Sequence, residues 1–192
     1  MKTVYVLLFN GYSDWEIAYV MPELKKSRDY VLKTFTIDGN PVTSVGGLNV
    51  SPDTSLQELY ANGDLAAIIL AGGEAWEKNE IQGIDELVRK AADENKIVAA
   101  ICAATTYLGK LGLLDNIKHT SNDLKYLKYY VPEYKGENNY QPAFAVTDKN
   151  IITANGTAPV EFAREIFKAL KLYNEEDTEI WFQLFKNGVW VE

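Results

Sequence analysis

Apolar residues fall into short blocks along this chain, and the spacing inside the blocks changes from one to the next. Val4 to Phe9 is a continuous apolar run, as expected of a strand covered on both faces of a sheet. Behind it, Ser13 or Asp14 can cap a helix with Ile17, Val20, Met21 and Leu24 at helical spacing. Tyr30 to Ile37 predicts a second strand. Val42–Val45 and Leu48–Ser51 predict a hairpin that turns through Gly46-Gly47. Thr54-Ser55-Leu56-Gln57 has capping-box form ahead of a short helix. Leu65 to Leu70 is the next strand and runs into Ala71-Gly72-Gly73, and a charged helix from about Gly83 to Asn95 follows. The segment from Lys96 to Leu108 reads as a buried strand that turns at once into a helix at Cys102.

Beyond that helix, Ile117 to Ser121 predicts a strand and Leu124 to Tyr134 a tyrosine-rich helix. Phe144–Val146 and Ile151–Thr153 predict a second hairpin around Asp148-Lys149-Asn150. Thr157 or Ala158 opens a helix to about Leu172, with Phe162, Ile166, Phe167 and Leu170 on one stripe. This alternation, without linker or repeat, predicts one doubly wound α/β domain over residues 1–172. Its sheet should be mostly parallel, with helices on both faces. Residues 173–192 differ: an acidic start at 174–177 precedes Ile180, Trp181, Leu184 and Phe185 at helical spacing. A stripe with that much aromatic area predicts a helical tail packed on its own domain, Phe185 and Trp190 included.

Composition narrows the functional classes. A net charge of −8 argues against a nucleic-acid partner, which needs a basic face. The single cysteine excludes an internal disulfide framework and suits the reducing cytoplasm. The apolar run from Thr3 lacks the small-residue site of a signal peptide, and no stretch is long enough to span a membrane. Neither G-x-G-x-x-G nor a P-loop occurs, and one His with one Cys makes no recognisable zinc site. No cofactor and no metal are therefore expected. A phosphoacceptor domain would need a carboxylate at the end of the third strand, where this chain has Ala71-Gly72-Gly73.

The remaining chemistry gathers at Cys102. Ala99, Ala100, Ala103 and Ala104 leave room for a sharp strand-to-helix elbow that exposes the sulfur at the carboxyl edge of the sheet. The helix start should favour the thiolate, although a free cysteine is also a common core residue. At the end of the preceding strand, the Gly73 N–H could join that of Ala103 in an oxyanion hole; the alternative is an ordinary tight turn. Glu16 begins the first helix at the same edge, where the helix dipole also favours a glutamate.

Trp15-Glu16-Ile17, Ile69-Leu70-Ala71-Gly72-Gly73, Ala99-Ala100-Ile101-Cys102-Ala103 and Leu111-Gly112-Leu113-Leu114, in this order, resemble the ThiJ/PfpI family of the class I glutamine amidotransferase-like superfamily. The resemblance spans roughly residues 2–172. It implies a flavodoxin-like fold, a homodimer, Cys102 as nucleophile and Glu16 as the acid beside its sulfur. It also implies a small-molecule substrate, with amidase-like hydrolysis or glyoxalase/deglycase chemistry on a carbonyl or amide compound. The alternative is an oxidative-stress sensor or protective protein without turnover. Glu16 can act as an acid only if its surroundings raise its pKa.

Departures from the family pattern bear on the activity. Hydrolytic members place His directly after the nucleophile, whereas this chain has Ala103. Glu77 matches a glutamate that such members contribute across a subunit interface, but the His it would orient is missing. Many members without the adjacent His carry one on the next strand, at the place of Asn122. His119 lies an odd number of residues away and should face the opposite side of a strand. Peptide hydrolysis needs a proton donor for the leaving amine, so protease activity is not expected.

Overall fold

In a computed structural model that describes residues 2–62 and 64–190, the first apolar run forms β1 (Lys2–Leu7), buried from Thr3 onward. The helical pattern behind it is split into α1 (Asp14–Ile17) and α2 (Val20–Lys26). Pro22 explains the break: it cannot donate to the Ala18 carbonyl, so it belongs in the first turn of a new helix. β2 (Tyr30–Thr36) precedes the hairpin of β3 (Val42–Thr43) and β4 (Asn49–Val50). Asp14 fastens the tip of that hairpin, accepting from the Ser44 hydroxyl and from the Gly46 N–H. β5 (Thr54–Ser55) leads into α3 (Leu56–Asn62). The capping box there is Ser55 with Glu58 rather than Thr54 with Gln57: each backbone N–H donates to the other's side chain, at 3.0 and 3.3 Å.

β6 (Leu65–Leu70), α4 (Glu74–Glu77), α5 (Asp85–Asp93), β7 (Ile97–Ile101) and α6 (Ala104–Lys110) follow. α7 (Leu124–Tyr130) ends earlier than expected because Pro132 drives Val131 out of the helical region. β8 (Ala145–Asp148), β9 (Ile151–Ala154), α8 (Pro159–Leu170) and α9 (Glu175–Asn187) complete the chain. Residues 117–121 form no strand, contrary to expectation; only one bridge joins His119 to Tyr140. β8 already occupies the free edge of β9, so this segment is held by side chains instead. Thr120 N–H donates to Thr153 Oγ1 at 2.8 Å, and Lys118 N–H to Asp148 Oδ2 at 2.7 Å.

The seven-stranded sheet has the order β5-β2-β1-β6-β7-β9-β8 and is parallel except for the β8–β9 pair. Helices flank it in a flavodoxin-like α/β arrangement. The order reverses between β1 and β6, which puts the topological switch point there. The segments that follow β1, β6, β7 and β9 carry Glu16, Gly72, Cys102 and Gly156.

α9 lies against α8 and α2. Trp181 meets the rings of Phe167 and Tyr19 edge-on at 4.7 and 6.3 Å, and the Tyr173 hydroxyl donates to Glu23 at 2.7 Å. Phe182 is buried beneath the Arg164 guanidinium, 3.9 Å from the ring centroid. Trp190 departs from expectation: 74% exposed, it lies beyond the left-handed Gly188 that ends α9, with no packing surface of its own.

Truncation after Tyr173 removes Trp181 and Phe182, each of which contributes about 2 kcal/mol through burial. The shortened chain is expected to lose several kcal/mol and to melt well below the full protein. Thermal melts run beside light scattering check this; a stable, folded monomer would show that the tail serves only an interface.

Candidate active site

β7 ends in an elbow. Cys102 takes a left-handed backbone conformation, φ +58°, which costs a non-glycine residue on the order of 1–3 kcal/mol. Bonds on both sides hold it there. Its N–H donates to the Ala154 carbonyl of β9 at 2.9 Å. Its carbonyl accepts from the Thr105 N–H at 3.1 Å and the Thr105 hydroxyl at 2.6 Å. Thr105 Oγ1 also pairs with Ser121 Oγ at 2.6 Å, which ties the elbow to the segment before α7.

Two glycines make room for the side chain. A methyl group on Gly72 would lie 2.7 Å from Cys102 Cβ and 2.7 Å from Glu16 Oε2. One on Gly156 would lie 2.8 Å from the sulfur. The sulfur therefore sits between two bare peptides, half-buried.

Glu16 is 1% exposed. Its Oε2 accepts from the Gly72 N–H at 2.6 Å, while Oε1 has no nitrogen or hydroxyl partner. The Cys102 side chain stands beside this carboxyl, both against the Gly72 peptide. Burial pushes the Glu16 pKa from an ordinary 4.5 to about 7, against the opposing effects of Gly72 and Cys102. Burial, and then the negative charge of Glu16, push the Cys102 thiol up to about 11. Hydrogen bonds from the Asn122 amide and the Ala103 N–H pull the other way. The expectation that the helix start would favour the thiolate therefore needs correction. Beside an ionised Glu16 the thiol is the stable form, and a proton on Glu16 removes the second of the two effects that raise its pKa.

Asn122 bridges two parts of the site. Its Nδ2 donates to Cys102 Sγ at 3.4 Å, and its Oδ1 accepts from the Gly156 N–H at 2.9 Å. It also lines an open cleft of ≈ 680 Å³ with Leu124, Tyr140, Pro142, Phe144 and Asn155, room enough for a small molecule. Gly73 caps α4, and Ala103 stands directly after Cys102, where its N–H favours negative charge on the sulfur.

His119 does not serve the sulfur. It is fully buried, with Nδ1 on the Ile117 carbonyl at 2.8 Å and Nε2 on the Tyr134 hydroxyl at 2.5 Å. Burial lowers its pKa and keeps the ring neutral. Glu77 accepts from the Tyr126 hydroxyl at 2.7 Å. Burial and then this bond raise the Tyr126 pKa, so the phenol keeps its proton, and it lies close enough to Cys102 for their charges to interact. Tyr126 and Gly156 are absent from the reading of the sequence. Gly156 carried a usable signal, a glycine just past a strand like Gly72; Tyr126 is one of many tyrosines in its helix. Among the described residues no His, Cys, Asp or Glu cluster could hold a metal ion, and no helix is long and apolar enough to cross a membrane.

Residues 2–169 match the model of the DJ-1/PfpI family. A Bacillus subtilis protein named the uncharacterized protease YoaZ is 40% identical over 192 residues, covering 96% of this chain and 91% of its own. The crystal structure of a ThiJ/PfpI family protein from Bacillus anthracis superposes with a TM-score of 0.90 at 37% identity, over 98% of this chain and 93% of that one. A DJ-1 superfamily protein from Agrobacterium tumefaciens gives a TM-score of 0.87, also at 37% identity, over 98% and 99% of the two chains.

The Glu16 pKa has a consequence for stability. In the unfolded chain the group loses its proton near 4.5, and in the fold near 7. Its contribution is full below pH 4.5 and falls by about 3 kcal/mol as pH rises through 7. Urea unfolding between pH 4 and 8 should show this decline in the wild type and its loss in Glu16→Gln. The same slope in both proteins would refute the raised pKa.

Proposed function

The chain belongs to the DJ-1/PfpI family, and from that premise we propose that it is a cysteine-dependent enzyme acting on a small carbonyl or amide compound. The observation that carries the reading is the buried Glu16 carboxyl beside the Cys102 thiol, together with the Asn122 and Ala103 donors. With a pKa near 7, Glu16 is present in both forms around neutrality and can take and return a proton. In the proposed addition, the sulfur bonds to the carbonyl carbon and the C=O π bond breaks. The thiol proton passes to Glu16 and from there to the new alkoxide, so no net proton is consumed. Asn122 Nδ2 and the N–H groups of Ala103 and Gly73 would steady the charge on oxygen.

Addition to a carbonyl needs no separate acid for a leaving amine. Peptide cleavage does, and His119 has both ring nitrogens engaged away from the sulfur. We therefore favour the carbonyl reaction, although the Bacillus subtilis relative bears the name protease. The cleft beside Asn122 supports a small-molecule substrate, and we take the protein to be a cytoplasmic homodimer without cofactor.

The ring of donors about the sulfur favours a second reading, that of a sensor or protective protein. Peroxide would transfer one oxygen to the Cys102 thiolate and leave as water, and a second peroxide would complete a sulfinate. The Asn122 and Ala103 groups would bind its oxygens, with a protonated Glu16 as a further donor.

Turnover of α-dicarbonyls, amides and esters by wild type and Cys102→Ser tests the enzyme reading. Loss of at least about a hundredfold in the variant is expected, since removing a nucleophile leaves only binding and electrostatic effects. Equal turnover, or none in either protein, refutes it. Mass spectrometry after mild peroxide tests the second reading: Cys102 should gain one or two oxygens, and a folded protein with an unmodified thiol counts against it.

A further inference from the structure

We propose that the Tyr126–Glu77 hydrogen bond is a clasp between the two segments that flank Cys102, and that Tyr126 is a positioning residue acting on the sulfur through Asn122. The proposal rests on the reading of Cys102 as the reactive centre and names what holds that centre open for reaction. Glu77 is the last residue of α4, which begins directly after Gly72-Gly73. Tyr126 lies in the first turn of α7, which begins just after Asn122. The phenol-to-carboxylate bond, 2.7 Å, thus joins the chain on one side of the sulfur to the chain on the other.

Each end of the clasp is anchored. On the α4 side, Trp76 Nε1 donates to the Ala71 carbonyl at 2.8 Å, and Lys110 Nζ reaches the Trp76 carbonyl at 3.2 Å. On the α7 side, Asp123 caps the helix by accepting from the Tyr126 N–H at 2.8 Å, and Leu127 is fully buried against Gly109. Asn122 itself is exposed, so water competes for its amide, which reaches the sulfur at 3.4 Å. The Gly156 N–H holds this amide by its oxygen, and the Asp123 cap with the Tyr126 clasp holds the backbone that carries it. Besides Asn122, the groups that act on the sulfur are Glu16 from α1 and the Ala103 N–H from the elbow. Around the Tyr126 hydroxyl stand Glu77 and Tyr130.

The test is the rate of Cys102 alkylation by iodoacetamide against pH, which reads the sulfur without needing a substrate. Tyr126→Phe and Glu77→Ala should slow alkylation at pH 8 by about threefold to tenfold, as expected for loss of one weak hydrogen bond, and move the profile to higher pH. Glu77→Gln should react at least as fast as wild type, because its amide oxygen still accepts from Tyr126. Gln and Ala remove the same charge, so the difference between them reports the bond alone. In an Asn122→Ala background, Tyr126→Phe should add nothing further. A Tyr126→Phe protein that melts lower but keeps the wild-type profile would overturn the proposal, as would full additivity with Asn122→Ala. Failure of the clasp leaves the enzyme reading standing, because that reading is judged by turnover and the clasp by alkylation.

Discussion

Two acids, the buried Glu16 and the half-buried Cys102, stand side by side at the carboxyl edge of the sheet, and the local structure is arranged around the negative charge that they cannot both carry. Two negative groups this close in a poorly hydrated setting repel strongly, so ionisation of either raises the cost of ionising the other. The bare peptides at Gly72 and Gly156 follow from this pairing. A side chain at either position would displace the carboxyl or the sulfur, and at Gly72 the peptide N–H is also the donor that secures Glu16. The left-handed Cys102 is the backbone's share of the same arrangement. It aims the sulfur into the gap, and Ala154 and Thr105 hold the strained residue in place.

The sheet makes the pairing possible because Glu16, Gly72, Cys102 and Gly156 follow β1, β6, β7 and β9, four strands adjacent in space. None of these residues is near another in sequence except through that order. Parallel strands deliver all four chain segments to the same edge, on either side of the point where the winding reverses. The hydrogen bond from the Ser13 N–H to the Gly72 carbonyl, 2.9 Å, then fixes the start of α1 against the loop after β6. Glu16 is held at its backbone as well as at its carboxyl.

How much of this could be read from the chain itself depends on the range of the interaction. The buried strands were legible because continuous apolar runs such as Val4 to Phe9 and Leu65 to Leu70 have few other fates. Cys102 stood out because small residues flank it on both sides of a strand-to-helix change. Interactions that depend on the partner were not legible. Residues 117–121 have strand composition, but whether they pair depends on β8 having taken the edge of β9. The rise in the Cys102 pKa needed the distance to a glutamate far away in sequence, and the helix start alone pointed the other way. Tyr126 shows the same limit, since its role follows from Glu77 and not from its own surroundings in the chain.

The absent histidine is where these constraints meet. An imidazole after Cys102 would add a third titrating group beside a carboxyl that already titrates near neutrality; as a neutral base it would take the thiol proton, and the cation so formed would hold the thiolate. This chain offers neutral donors instead: the Asn122 amide, the Ala103 N–H and, at the next remove, the Tyr126 phenol that burial keeps protonated. Such groups favour negative charge on the sulfur without titrating in the physiological range, so control of the thiolate falls to Glu16. A nucleophile governed by one carboxylic acid has a reactivity set by that acid's proton, and any change in the burial of Glu16 reaches the sulfur directly. That coupling suits additions in which a single proton goes out and comes back, and it suits poorly a cleavage that must deliver a proton to a departing amine.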